Sequence, residues 1–224
     1  MKQYPLKAAV LISGTGSNLK ALIDAVAMKG LELDIVRVIS NRADAPGIKH
    51  ATAAAIPVSV ISHKDFPDRL SHDTAVASVL DESQAELIIL AGYMRILSEE
   101  FTHRYRGCMI NLHPSLLPLY KGLDTYNRVL LSGDRETGAS IHFVTAGLDS
   151  GPVISQLKIP VLPDDNAGSL KTRLGPLEHT LLTATVGLFC SREISYREDA
   201  VFYQGKTLEQ PLQLDQDGNF LNST

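Results

Sequence analysis

The sequence predicts an α/β protein with a doubly wound, mostly parallel sheet in its N-terminal half and a mixed sheet with one long helix in its C-terminal half. Three observations predict it. Short apolar runs rich in β-branched residues recur along the chain, amphipathic stretches of helical period separate them, and a loop of small residues joins the first run to the first amphipathic stretch. Strands are expected at 8–12, 35–40, 58–61, 87–91 and 109–112, each nearly uninterrupted in hydrophobicity, as in strands covered on both faces. Helices are expected at 19–28 and 69–82, the second carrying Leu70, Ala75, Val76, Val79 and Leu80 at helical spacing.

Beyond about Pro118 the pattern changes. Segments 139–145, 153–161 and 193–204 read as strands, and 170–188 as a helix kinked at Gly175-Pro176. The polar stretch from Gly205 reads as loosely held. No low-complexity linker, repeat or charge block divides the chain. It is therefore expected to form a single domain over 1–224, with halves at about 1–112 and 113–204 and a polar tail at 205–224.

Composition narrows the class. Cys108 and Cys190 have no CxxC spacing, which predicts free thiols in a reducing compartment, the cytoplasm, and neither a disulfide framework nor a zinc site. Residues Met1 to Leu6 carry no long apolar core, and the longest apolar run, Leu87 to Met94, is far short of a membrane span, so no membrane association is expected. A formal charge of −4 without clustered Lys and Arg argues against nucleic acid. An anionic substrate must then be held locally.

The loop Ser13-Gly14-Thr15-Gly16-Ser17-Asn18 is suited to that task. It lies between a strand and a helix, where small residues let the backbone approach a ligand and helix N–H groups point outward. No Lys follows the second glycine, so it is not a Walker loop, and Leu19 stands where a dinucleotide fingerprint needs its third glycine. A tight turn in which Ser17 or Asn18 merely caps the helix is the plainer alternative.

The fifth strand carries the most chemistry. In Met109-Ile110-Asn111-Leu112-His113-Pro114, Asn111 and His113 are two residues apart and share one strand face, and Pro114 ends the strand at its carboxyl edge, where open α/β sheets bind ligands. An amide can donate to a developing oxyanion, and an imidazole can move a proton near neutral pH, a pairing that suits acyl transfer. Asp149, in the glycine-bounded turn Gly147-Leu148-Asp149-Ser150-Gly151, is either ordinary turn chemistry or the group that orients His113 and raises its proton affinity. Of the other histidines, His50, His63, His72 and His103 read as surface residues, and His142 and His179 as intermediate cases.

Five segments taken in order, Leu11 to Leu19, Ser40 to Ala45, Leu90 to Leu97, Asn111 to Pro118 and Leu148 to Val153, closely resemble the folate-dependent phosphoribosylglycinamide formyltransferase family. The resemblance covers roughly residues 7–182 and implies the formyltransferase fold. It implies a catalytic trio of Asn111, His113 and Asp149. It implies that Gly16, Ser17 and Asn18 hold a ribonucleotide phosphate, with Glu178 near the glycinamide end. Folate contacts are implied for Arg69, Met94, Arg95, Ile96, Leu97 and Asn111, with Ile96 and Leu97 lining a pterin slot. The implied co-substrate is 10-formyltetrahydrofolate, the implied acceptor glycinamide ribonucleotide, with no metal and a monomer or weak homodimer. Asp124 and Tyr126 depart from the pattern, standing where some members carry histidines; His142 matches it. A formyltetrahydrofolate hydrolase, a methionyl-tRNA formyltransferase and an aminosugar formyltransferase share the trio and are the nearest alternatives. A silent ligand-binding module and a nicotinamide-dependent dehydrogenase are the more distant ones.

Overall fold

Strand β1 (Leu6–Ile12) lies inside an eight-stranded sheet whose order is β11-β7-β6-β5-β4-β1-β2-β3. Along the chain follow α1 (Ser17–Ala27), β2 (Leu33–Ser40), α2 (Ile48–Ala53), β3 (Val58–Val60), α3 (Arg69–Ser83), β4 (Leu87–Leu90), α4 (Glu99–Arg104) and β5 (Met109–His113). The C-terminal half adds α5 (Thr125–Ser132), β6 (Glu136–Phe143), β7 (Val153–Pro160), α6 (Ala167–Cys190), β8 (Ile194–Arg197), β9 (Ala200–Tyr203), β10 (Lys206–Thr207) and β11 (Leu212–Leu214). The computed structural model describes residues 4–221. Strands β1 to β5 pair in parallel, whereas β5 with β6 and β6 with β7 pair antiparallel.

Strand periodicity sorts the core into two layers. Ala8, Val10 and Ile12 of β1 join Leu19 and Leu22 of α1 and Leu181, Leu182 and Val186 of α6 on one face. The intervening Ala9 and Leu11 join Val76, Ala77 and Leu80 of α3 and Phe101 of α4 on the other. Strands β1 and β4 bury both faces, which is why their sequences show no polar alternation. On β5, Met109 packs with the α3 and α4 layer while Ile110 and Leu112 pack with α1 and α6. Asn111 and His113 therefore share the face of Met109.

Winding reverses at β1, which has β2 on one side and β4 on the other. The crevice at such a reversal is where open sheets bind ligands, and the segments leaving β1 and β4 border it here.

The C-terminal half corrects several expectations. Segment 193–204 is a hairpin, β8 and β9, turning on Glu198 and Asp199, both with positive φ (50° and 64°). Within 205–221 the tail is not loosely held, and residues 222–224 lie outside the described residues. Its β11 joins the main sheet parallel to β7, with Leu212 and Leu214 buried. Helix α6 continues through Pro176 over 24 residues, and its N-terminus is closed by Asn166, whose side chain accepts from the Gly168 and Ser169 N–H groups. Leu70, expected in the core, is exposed on the first turn of α3. His72, expected at the surface, is fully buried.

Candidate active site

The loop after β1 owes its shape to two glycines. Gly16 sits at φ 71° and immediately precedes α1, and a Cβ there would stand 2.6 Å from the Cα of Gly47. Gly47 in turn donates its N–H to the Gly14 carbonyl at 3.0 Å, so the start of α2 is fastened onto the loop. Gly47 went unnoticed in the sequence, although the preceding Pro46 marked a turn there. Gly14, by contrast, faces open space, with nothing within 4 Å of a Cβ. No side chain caps α1, which removes the reading of Ser17 or Asn18 as a cap and leaves first-turn N–H groups for an anion. Asn18 Oδ1 is buried without a hydrogen-bond partner among the described residues. An unsatisfied buried acceptor at a helix start suits a ligand donor.

At the carboxyl edge of β5 the antiparallel register sets Asn111 opposite His142 and His113 opposite Ser140. Asn111 Nδ2 lies 3.1 Å from His142 Nε2, and His142 Nδ1 lies 2.9 Å from the Phe143 carbonyl. That carbonyl only accepts, so Nδ1 carries a proton and Nε2 accepts from the Asn111 amide. His142 thus decides which edge of the Asn111 amide bears its N–H groups and leaves the second one for a ligand.

His113 Nε2 donates to the Tyr120 carbonyl at 2.9 Å, and its Nδ1 lies 3.4 Å from Asp149 Oδ2. Asp149 Oδ1 lies 3.6 Å from His142 Nε2, and Asp149 Oδ2 accepts the Gly122 N–H at 2.9 Å. One carboxylate therefore serves both rings and the loop that follows β5. The turn presents it through a left-handed Asp149 (φ 45°) and through Gly151, where a Cβ would stand 1.8 Å from the Phe143 carbonyl.

Burial pulls the His113 imidazole below its ordinary value, against the upward pull of the Tyr120 carbonyl and of Asp149, and His142 and Arg128 add to the lowering. The expectation that Asp149 raises the ring's proton affinity thus holds for its own contribution but not for the net result, because desolvation prevails. At Asp149 burial acts upward but is outweighed by the neighbouring His142 ring, the bond from the Gly122 N–H and the His113 ring, so its carboxyl stays below the usual range.

The segment between β4 and α4 is irregular. Met94 and Ile96 are exposed, while Leu97 is buried with Tyr93 and Phe101 in the core. Of the two residues expected to line a pterin slot, only Ile96 offers its side chain outward; Leu97 supports the segment from beneath. Arg95 Nε is buried and has no hydrogen-bond partner among the described residues. Arg69 is exposed at the first position of α3, outside this cluster and without a hydrogen bond or ion pair among the described residues.

Glu178, half-buried on α6, accepts from the Tyr126 hydroxyl at 3.0 Å. Burial raises its carboxyl, and the bond from Tyr126 acts downward. Asp124 has φ 59° and precedes α5, where its Oδ1 accepts from Asn127 at 2.6 Å. The two departures from the histidine pattern thus have distinct positions: Tyr126 reaches α6, and Asp124 stays local. Among the described residues no group of three or more His, Cys, Asp or Glu is arranged to hold a metal ion, and no helix is long and apolar enough to cross a membrane.

The sequence pattern of the family described as formyl transferase matches residues 6–186. The chain belongs to the formyl transferase family. Within it, the chain is 39% identical to the phosphoribosylglycinamide formyltransferase of Haemophilus influenzae over 202 residues, spanning 90% of this chain and 95% of that one. It is 46% identical over 181 residues to the trifunctional purine biosynthetic protein adenosine-3 of Drosophila melanogaster, spanning 80% of this chain but 13% of that protein's length. The fold superposes on the phosphoribosylglycinamide formyltransferase of Coxiella burnetii with a TM-score of 0.88 at 45% identity, covering 91% of this chain and 96% of that one. This family's α/β fold is the one the sequence predicts.

Proposed function

We propose that the protein transfers the formyl group of 10-formyltetrahydrofolate to the amine of glycinamide ribonucleotide, a cytoplasmic step of purine synthesis. The reading is carried by one observation: Asn111, His113, His142 and Asp149 cluster at the strand edge beside a crevice bordered by an uncapped glycine loop. The first-turn N–H groups at Gly16, Ser17 and Asn18 receive the phosphate without adding net charge. Glu178 faces the amine end, held by Tyr126. Exposed Met94 and Ile96, with the unpaired Nε of Arg95, present the mixed apolar and polar surface that a reduced folate needs.

Bound there, the folate supplies an activated formyl carbon. The neutral amine forms a C–N bond to that carbon, the bond to the folate nitrogen breaks, and one proton passes from the amine to that nitrogen. The free N–H of Asn111 donates to the oxyanion as it develops. His113 faces two acceptors, Tyr120 O and Asp149, so a neutral ring leaves one unserved. It is thereby poised to take up the amine proton and release it to the leaving nitrogen.

The test offers 10-formyltetrahydrofolate with glycinamide ribonucleotide, with an aminosugar nucleotide, or with water alone. Formyl transfer to the ribonucleotide is expected. Full-rate release of formate without any amine, with no ribonucleotide binding, overturns the reading in favour of a hydrolase.

A further inference from the structure

The irregular segment from Gly92 to Ser98 is fastened at both ends by buried polar side chains. Near its start the Met94 N–H donates to Ser13 Oγ at 2.8 Å, and at its end the Ser98 N–H donates to Asp73 Oδ2 at 2.6 Å. Ser13 and Asp73 are 5% and 1% exposed, so water does not replace either bond when it breaks. Asp73 belongs to α3, and its other carboxylate oxygen lies 3.4 Å from His72 Nδ1. Ser13 differs, because it is also the first residue of the glycine loop. Its hydroxyl donates to Asn41 Oδ1 at 2.6 Å, and Asn41, 3% exposed at the end of β2, approaches His63 Nδ1 at 3.4 Å. A single hydroxyl rotor thus joins the ends of β1 and β2 to the segment leaving β4, across the reversal of the sheet.

We propose that Ser13 is a positioning residue whose hydroxyl couples the two substrate subsites, so that filling the glycine loop tightens binding at the Met94–Leu97 segment, and the reverse. The inference rests on the function proposed above, in which the loop takes the phosphate and the segment faces the folate. An anion on Gly16, Ser17 and Asn18 immobilises the loop three residues from Ser13. With Ser13 fixed, its bond to Met94 N–H no longer fluctuates. The second ligand then meets a segment that is already ordered and loses less entropy on binding. Such coupling is reciprocal and typically amounts to about 5- to 150-fold in affinity. Ser13→Ala removes it by leaving both Met94 N–H and Asn41 Oδ1 without their partner.

Tetrahydrofolate and glycinamide ribonucleotide form a pair with no formyl group to transfer, so binding can be measured at equilibrium. Calorimetric titration of tetrahydrofolate, with and without saturating ribonucleotide, reads the coupling directly. Wild-type protein is expected to bind tetrahydrofolate at least about fivefold more tightly in the presence of the ribonucleotide. Hydrogen exchange at the Met94 amide should slow when the ribonucleotide alone is added. Ser13→Ala should bring the affinity ratio to near one and abolish the slowing, and Ser13→Thr, which keeps the hydroxyl, should restore both. Asp73→Asn should weaken tetrahydrofolate binding in both titrations and leave their ratio unchanged, which separates coupling from general loosening of the segment.

A wild-type ratio of one overturns the inference even if no Ser13 variant folds. So does a folded Ser13→Ala protein with the wild-type ratio. A wild-type protein that binds neither ligand overturns the proposed function, and this inference with it. Transfer to the ribonucleotide at a ratio of one removes the inference alone.

Discussion

The two walls of the crevice are built on opposite plans. The glycine loop offers backbone only. Its geometry comes from a left-handed Gly16 and the close approach of Gly47, and none of its residues carries a charge. The opposite wall, where β5 meets β6 and the Asp149 turn, is made of buried titratable side chains that hold one another in place. The difference teaches that binding an anion and moving a proton place different demands on sequence. The first needs side chains to be absent, and the second needs them paired.

The largest expected effect tests the second wall. His113→Ala should fold and lose about 10²- to 10⁴-fold in kcat, the usual cost of removing a positioned proton-transfer group. Near-normal turnover by the folded variant removes His113 from the mechanism. Asp149→Asn should likewise lower kcat far more than it raises either KM; equal kcat with weakened folate affinity makes Asp149 a binding residue.

The two glycines should separate cleanly. Gly14 has open space beside it, so Gly14→Val should keep the wild-type melting temperature while the KM for glycinamide ribonucleotide rises on the order of tenfold to a hundredfold, the loss of one or two charge-assisted hydrogen bonds. Gly16 carries a positive φ and a backbone neighbour, so Gly16→Ala should instead cost at least about 1–2 kcal/mol of stability in thermal or denaturant unfolding. If Gly14→Val melts early with an unchanged KM, the loop is structural and the comparison collapses.

A smaller effect concerns pH. The His113 pKa measured by NMR should lie below the free-histidine value of about 6.5, and Asp149→Asn should push it lower still by removing one of the groups that raise it. The unfolded chain binds this proton more readily than the native one. As pH falls from the free-histidine value toward the depressed native value, protons accumulate on the unfolded state and stability declines. Protein lacking the ring, His113→Ala, should lose less stability over that interval. A His113 pKa at or above 6.5 contradicts the dominance of burial.

The smallest effect is expected at Tyr126→Phe. Losing the hydroxyl removes a group that lowers the Glu178 pKa, so the acid limb of kcat/KM for the amine substrate should move to higher pH. At neutral pH the KM should rise by no more than about two- to tenfold, the worth of one ordinary hydrogen bond. A pH profile that superposes on the wild type makes the contact incidental.

Legibility in the sequence follows the same division. Strands β1, β4 and β5 are buried on both faces, and this constraint writes continuous apolar runs that can be read directly. The pair Asn111 and His113 was legible because strand period alone puts both on one face. The pairing of His142 with Asn111 was not, since it depends on antiparallel register across 31 residues. The hairpin of β8 and β9 was hidden because its left-handed turn residues are Glu198 and Asp199 instead of the Asn-Gly that usually announces such turns. Segment β11 is three residues long between Pro211 and a polar stretch, and only its neighbour β7 makes it a strand. His72 is buried by Phe66, His63 and the Ile61 carbonyl, all from outside its own helix, so helical pattern carried no warning.

The position of β11 also orders events during synthesis. Strand β7 needs its outer partner to complete its ladder, yet that partner is made only after α6 and the β8–β9 hairpin. Until residues 212–214 have left the ribosome, the nascent chain carries an open row of N–H and C=O groups along β7, two strands from the His113 edge. The last strand of the sheet to be made is thus the one that covers the Ser155–Leu157 stretch of that edge against neighbouring chains on the same message.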